Sequence, residues 1–215
     1  MFGRVSIALL FLSFLLSIPV GVHALSCSQG TLVIIEVGQP DYFMLPVEPV
    51  YPDANLITFI ATAWQQPLRW LDEPSINTVM AHTFVWEPDE ICAAELELRA
   101  RPEGESSGND RLNLEFRDEW LEKGGEVWRW TLPFTTLTNT SWQYGTSADI
   151  VLNLVELPVD LYGRTSVLQY MLDGDLDVVV NDDTNVDYIV LRLCVGCAVP
   201  VSETTWGQIK ALYEE

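Results

Sequence analysis

The chain has 215 residues and carries 31 acidic side chains against 11 basic ones, a net charge of −20. Such a polyanion repels nucleic acid and anionic membrane surfaces, whose recognition depends on Lys and Arg neutralising phosphate. A hydrophobic content of 48%, with eight Trp, eight Phe and seven Tyr, excludes a disordered acidic tail and describes a folded body of one domain, at most two.

Residues 1–24 read as a secretory signal. Arg4 supplies the positive start, Ile7 to Ile18 an apolar run, and Val22-His23-Ala24 a small-x-small cleavage site before Leu25. Pro19 ends the run well short of the roughly twenty apolar residues that a membrane-spanning helix needs. The expected product is a secreted, extracellular or cell-surface protein with no transmembrane anchor after cleavage. Its cysteines, Cys27, Cys92, Cys194 and Cys197, then lie where disulfides form and persist. Four cysteines allow three pairings. Long-range bridges from Cys194 and Cys197 are favoured over closing the short Cys194-Val-Gly-Cys197 loop, because a bridge across a long loop constrains the unfolded chain more. A zinc or redox reading of this pair lacks a second CxxC, and His82 is the sole histidine after cleavage.

Strand-like runs follow in chain order: 31–37 (TLVIIEV), 56–62 (LITFIAT), 93–99 (AAELELR), 111–117 (RLNLEFR), 127–132 (VWRWTL), 150–157 (IVLNLVEL), 176–180 (LDVVV) and 188–195 (YIVLRLCV). In RLNLEFR the apolar Leu112, Leu114 and Phe116 oppose Asn113, Glu115 and Arg117, the pattern of a sheet with one wet face. Residues 101–110 (RPEGESSGND) and Lys123-Gly124-Gly125 supply loop chemistry. Helical spacing is confined to a short helix near 166–172 and a C-terminal one over Thr205 to Tyr213. The expected fold is therefore all-β: an antiparallel, jelly-roll-like β-sandwich over residues 25–200, followed by a C-terminal tail at 201–215.

The segment 172–193 (LDGDLDVVVNDDTNVDYIVLRL) reads as a hairpin in which Val180 pairs with Asp187 and Asp175 with Arg192. Its acids allow two readings. Asp182, Asp183 and Asp187, with Asn181 and Asn185, could supply hard oxygen ligands for Ca²⁺, or they could hydrogen-bond their own backbone and close the turn. The glycine of Asp173-Gly-Asp175 falls at the wrong position for an EF-hand loop.

The succession HTFVW (82–86), AELELRARPEG and NDRLNLEF (94–116), TSWQYGTSADIVLNLVELP (140–158) and LDGDLDVVVNDDTNVDYIVLRL resembles exported bacterial surface-protein β-sandwich ectodomains of the kind found with PEP-CTERM-type sorting tails. The resemblance covers about residues 81–193, and Asp182 to Asp187 is its most specific element. It implies an extracellular sandwich and carries no catalytic residues to transfer.

Catalytic chemistry finds little to use. His82 lies in an apolar-aromatic stretch with no GxSxG near it, and no GxxxxGK[ST] or GxGxxG occurs. Paired carboxylates are the one route that composition allows, with Glu95, Glu97 and Glu115 as candidates for a carbohydrate-active hydrolase. Glycan binding without hydrolysis could use Trp128, Trp130 and Trp142, the first two on one side of a strand, with core packing as the alternative. Asn139-Thr140-Ser141 is a glycosylation sequon, with Asn139 as acceptor in a host that uses it. The reading that results is a secreted, acidic, non-enzymatic β-sandwich module for extracellular binding or surface structure, with a glycan or cell-surface component as partner. A hydrolase and an acidic cation- or mineral-associated matrix protein are the competitors.

Overall fold

The computed structural model describes residues 25–44, 52–74, 77–104, 109–117 and 127–197. The signal segment and the helix expected over Thr205 to Tyr213 lie outside the described residues. Eight strands form two antiparallel four-stranded sheets: β1 (Thr31–Gly38), β2 (Thr78–Val85), β3 (Ile91–Pro102), β4 (Arg111–Phe116), β5 (Trp128–Pro133), β6 (Ala148–Asn153), β7 (Asp175–Asp182) and β8 (Thr184–Val195). One sheet runs β1-β8-β3-β6 and the other β2-β7-β4-β5. The pairings β1 with β8, β2 with β7, β3 with β6 and β4 with β5 are nested, so the chain is a long antiparallel ribbon rolled over itself, the jelly-roll arrangement.

Alternation builds the core between the sheets. Leu96 and Leu98 of β3 meet Ile189, Leu191 and Leu193 of β8, and across the gap stand Leu112, Leu114, Trp130, Leu176, Val178 and Val180. On the outer face of the first sheet Arg192 lies opposite Glu95 and bonds both Glu95, at 3.0 Å, and Glu97, at 2.7 Å. These acids are neutralised across neighbouring strands.

The 56–62 run is not a strand. Asp53 caps a helix α1 (Ala54–Phe59) by accepting the Asn55 N–H at 2.7 Å, and a wider helical turn continues over Ile60–Trp64. Leu56, Phe59 and Ile60 recur at helical spacing and bury against Val79, Ala81 and Val179, the outer face of the second sheet. The β-branched residues that suggested a strand bond back along the helix: the Thr58 and Thr62 hydroxyls donate to the Ala54 and Thr58 carbonyls. The supposed wet face of RLNLEFR is also covered: Asn113 is buried and bonded to Val179, Asn181 and Thr131, and Glu115 is buried beside Arg129 and Tyr170. Glu115 takes a left-handed φ of 58°, and beyond it Phe116 leaves the Leu112–Leu114 face to join Trp128 under α1.

The expected β7–β8 hairpin is also overturned. β7 pairs with β2 and β4, whereas β8 pairs with β1 and β3, so Val180 faces Met80 and Leu112 rather than Asp187. Asp175 lies opposite Val85, and Arg192 belongs to the Glu95 pair. Each strand is central in its own four-stranded sheet, and the two face one another across the core rather than along an edge. The chain instead steps between the sheets at Asp182–Asp183, with Asp182 at φ 72°. In 166–172 the helical element is a single tight turn, Leu168–Tyr170, and β6 ends at Asn153, short of the expected Leu157. A second short helix, α2 (Phe134–Thr138), follows β5.

Cys27 bridges Cys194, and Cys92 bridges Cys197, both long-range as expected. A side chain at Gly30 would meet the Val195 carbonyl at 2.4 Å and the Cys197 sulfur at 3.0 Å, so only glycine lets the start of β1 lie this close to the paired bridges.

Candidate functional site

Three segments converge at one end of the sandwich. The chain leaves β1 through Gly38, whose φ of 84° turns it into the loop carrying Asp41, Tyr42 and Phe43. The β3 strand ends there with Arg99 and Arg101, and the connection after α2 brings Tyr144 to Ser147. Between them lies a groove of about 330 Å³. Tyr42 is 73% exposed and Tyr144 67%, so two phenol rings wall the groove while presenting their surfaces to solvent. On its floor Arg101 pairs with Glu103 at 2.6 Å and stacks on the Phe43 ring at 4.1 Å. Arg99 lies over the Tyr42 ring at 4.7 Å and pairs with Asp149 at 2.6 Å. Aromatic faces beside a fixed ion pair and the Thr146 and Ser147 hydroxyls suit a ligand with apolar faces and many hydroxyls.

Beneath the Tyr42–Phe43 loop lie the carboxylates of Asp41, Asp72 and Asp187, with ligand oxygens all within 4.8 Å of one another. Asp187 is fully buried; one oxygen accepts the Phe43 N–H at 3.0 Å and the other stands 3.4 Å from Arg99. Asp41 accepts the Met44 N–H at 2.9 Å. Asp72 is 2% exposed, and among the described residues no N–H or hydroxyl donates to its oxygens; its hydrogen-bonding neighbour is the Asp187 carboxyl. Burial, then the charges of Asp187 and Asp41, push its carboxyl up to about 8.

The residues singled out from sequence are distributed differently. Asp187 does not gather with Asp182 and Asp183. The Asp183 carboxylate accepts the Asn77 N–H at 2.8 Å, and the Asp183 N–H donates to Asp110 at 3.4 Å, so its bonds run to loops distant along the chain rather than to its own turn. Asp182 occupies the crossing itself, with its carboxyl raised by burial and Asp183. Trp128, Trp130 and Trp142 are all buried and present no ring to a ligand. Trp142 stacks on Phe134 and donates to the Thr184 hydroxyl at 2.8 Å, Trp130 donates to the Pro158 carbonyl at 2.9 Å, and Trp128 packs against Phe59 and Trp64. Asn139 is exposed at the C-terminus of α2. His82 is buried edge-on against Phe84, and burial lowers its pKa to about 4.

Sequence reasoning missed Asp41, Tyr42, Asp72, Arg101 and Glu103. The turn composition of Gly38-Gln-Pro-Asp41 and Asp72-Glu-Pro74 marks two loops. No spacing links positions 41, 72 and 187, which only the nested strand order brings together.

A second carboxylate pair lies across the molecule. Glu115 is buried, with one oxygen unpaired, and burial followed by Asp177, Asp175 and Asp173 pushes its carboxyl up to about 9. Asp177 is pushed up to about 7 by burial, against the Thr83 hydroxyl bond that holds it. Arg129 of β5 borders the same hollow, stacked on Tyr170. Glu115 therefore stays protonated in the folded state where an unfolded Glu has ionised. Folding binds an extra proton between about pH 4.5 and pH 9, so stability is complete below that window and falls as pH rises through it. Unfolding in urea at pH 5 and pH 9 is expected to show a loss on the order of 3 kcal/mol from this group. Glu115→Gln is expected to remove that share of the slope, and an unchanged profile in the variant would contradict the assignment.

No family model matches the sequence, and a comparison with curated proteins finds no match.

Proposed function

We propose that this protein is a secreted, non-enzymatic binding module that holds a neutral glycan, or a similarly hydroxyl-rich component of a cell surface, in the groove between Tyr42 and Tyr144. The observation that carries this reading is the pair of exposed phenol rings flanking the Arg101–Glu103 ion pair. Aromatic rings bind the apolar faces of a sugar ring, and a fixed fork of donors and acceptors orients its hydroxyls. The charge of −20 disfavours anionic glycans, which leaves neutral ones within this class of ligand. Two disulfides suit an extracellular setting, and the resemblance to bacterial surface ectodomains points the same way.

The test is retention of the secreted protein on insoluble neutral polysaccharides, followed by titration with soluble oligosaccharides. Tyr144→Ala is expected to weaken binding about tenfold or more, on the scale of a lost hot-spot aromatic, while moving stability by no more than about 0.5 kcal/mol because the ring is exposed. Full-strength binding by a Tyr42→Ala, Tyr144→Ala double variant would remove the groove from consideration.

A hydrolytic reading is favoured by one observation, the Glu115 carboxyl bordering an open hollow with the buried Asp177 behind it, their pKa values raised and unequal. It predicts release of reducing ends from a polysaccharide, abolished by Glu115→Gln. Binding in the Tyr42–Tyr144 groove that survives this substitution separates the two readings.

A further inference from the structure

We propose that Asp41, Asp72 and Asp187 form a divalent-cation site, with Ca²⁺ as the ion their chemistry suits. The ligand set is entirely hard oxygen, which selects alkaline-earth ions over the soft metals that seek sulfur and imidazole. One ligand oxygen from each residue lies within 4.8 Å of the other two, close enough for a single Ca²⁺ with bonds of about 2.4 Å to reach all three.

Clusters of acids are common on an acidic protein, and most of them are solvated. Asp72 is not. It is 2% exposed, no N–H or hydroxyl among the described residues donates to either of its oxygens, and the group it meets at hydrogen-bonding distance is another acid, Asp187. A buried polar group without a donor destabilises the fold, and more so when charged. Every other member of the cluster has a donor: the Phe43 N–H for Asp187 and the Met44 N–H for Asp41. Arg99 does not discharge the cluster, because its close partner is Asp149 at 2.6 Å and it reaches Asp187 only at 3.4 Å. A divalent ion supplies what is missing, an electropositive partner for both Asp72 oxygens and charge compensation for the other two. Three carboxylates offer up to six oxygens, within the six to eight that Ca²⁺ takes, and water can complete the shell.

The three ligands come from the loop after β1, the loop before β2 and the strand β8. An ion there ties both loops to a central strand of the sandwich, and it sits directly under Tyr42 and Phe43. The inference does not depend on what the groove binds.

The test is thermal unfolding of the secreted protein after chelation, with and without millimolar Ca²⁺, together with calorimetric titration for stoichiometry. A hundredfold excess over Kd is expected to raise Tm by about 5–10 °C for a chain of this size, reversed by chelator, with one ion bound per chain. Asp72→Asn and Asp41→Asn are each expected to reduce or abolish the response. Asp41 lies in a partly exposed loop, so its variant reports on the site should Asp72→Asn fail to fold. Asp182→Asn, at the crossing between sheets, is expected to respond like the unmodified protein. Absence of any Tm shift or binding heat would overturn the proposal, as would a response that survives Asp41→Asn or is lost in Asp182→Asn. An equal response to Mg²⁺, which demands a tighter octahedral shell, would overturn the choice of Ca²⁺.

Discussion

Replacing Cys27 and Cys194 together by serine is expected to lower the free energy of unfolding by on the order of 4–5 kcal/mol, and the Cys92–Cys197 pair by a similar amount. The bridges span 167 and 105 residues, so each removes a large closed loop from the unfolded ensemble. The two are not additive, because both tether the end of β8 and the second bridge shortens the loop left for the first. The Cys27–Cys194 bridge also fixes β1, an edge strand whose Leu32 and Ile34 point outward into solvent and so contribute little burial. Loss of that bridge should free β1 before the rest of the sandwich melts. Urea denaturation of the two double-serine variants gives the size of the effect, and hydrogen exchange along Thr31–Gly38 gives its location. Uniform loss of protection across all eight strands would contradict the expected order.

Trp130→Ala is expected to lower stability by about 3–5 kcal/mol, the range for truncating a large buried aromatic. Trp130 stands at the middle of β5 opposite Leu114, inside the main apolar core, and its indole N–H satisfies the Pro158 carbonyl. Trp130→Phe should retain most of the packing while leaving that carbonyl without its donor, at roughly 1–2 kcal/mol. Chemical denaturation monitored by far-ultraviolet circular dichroism distinguishes the three proteins. A variant that unfolds at the unmodified midpoint yet loses a ligand would return Trp130 to the role of binding platform.

The sandwich was legible because most of its strands alternate: Leu96 and Leu98 against Glu95 and Glu97 are enough to orient β3. The 56–62 run was misread because composition favoured a strand while spacing favoured a helix. Leu56, Phe59 and Ile60 carry the helical period, and Asp53 is a capping residue, yet Thr58, Ile60 and Thr62 tip the propensity count the other way. The burial of Asn113 and Glu115 was hidden for a different reason: Asn113 is held by Val179, Asn181 and Thr131, and Glu115 lies beside Arg129 and Tyr170, all distant in sequence. The acidic turn misled for a topological reason. A short polar segment between two apolar runs has the same local chemistry whether it closes a hairpin or carries the chain from one layer to the other, and only the partners of β7 and β8 distinguish them. The sequence grouped Asp187 with Asp182 and Asp183, its neighbours along the chain, whereas its neighbours in space are Asp41 and Asp72, which no spacing connects to it.

The nested ribbon has a consequence for how the molecule can come into being. Thr31 finds its partner in Val195, Met80 in Val180, Glu95 in Asn153 and Leu112 in Leu132. The first strand to emerge during synthesis, β1, waits for almost the whole remaining sequence before it can be matched. Only the innermost pair, β4 with β5, is available early. Assembly is therefore deferred until synthesis or transit is nearly complete, then runs outward from the centre of the chain, slowly, as expected of a fold dominated by distant pairings. A chain stalled or truncated before β8 would have no mate for its first strand.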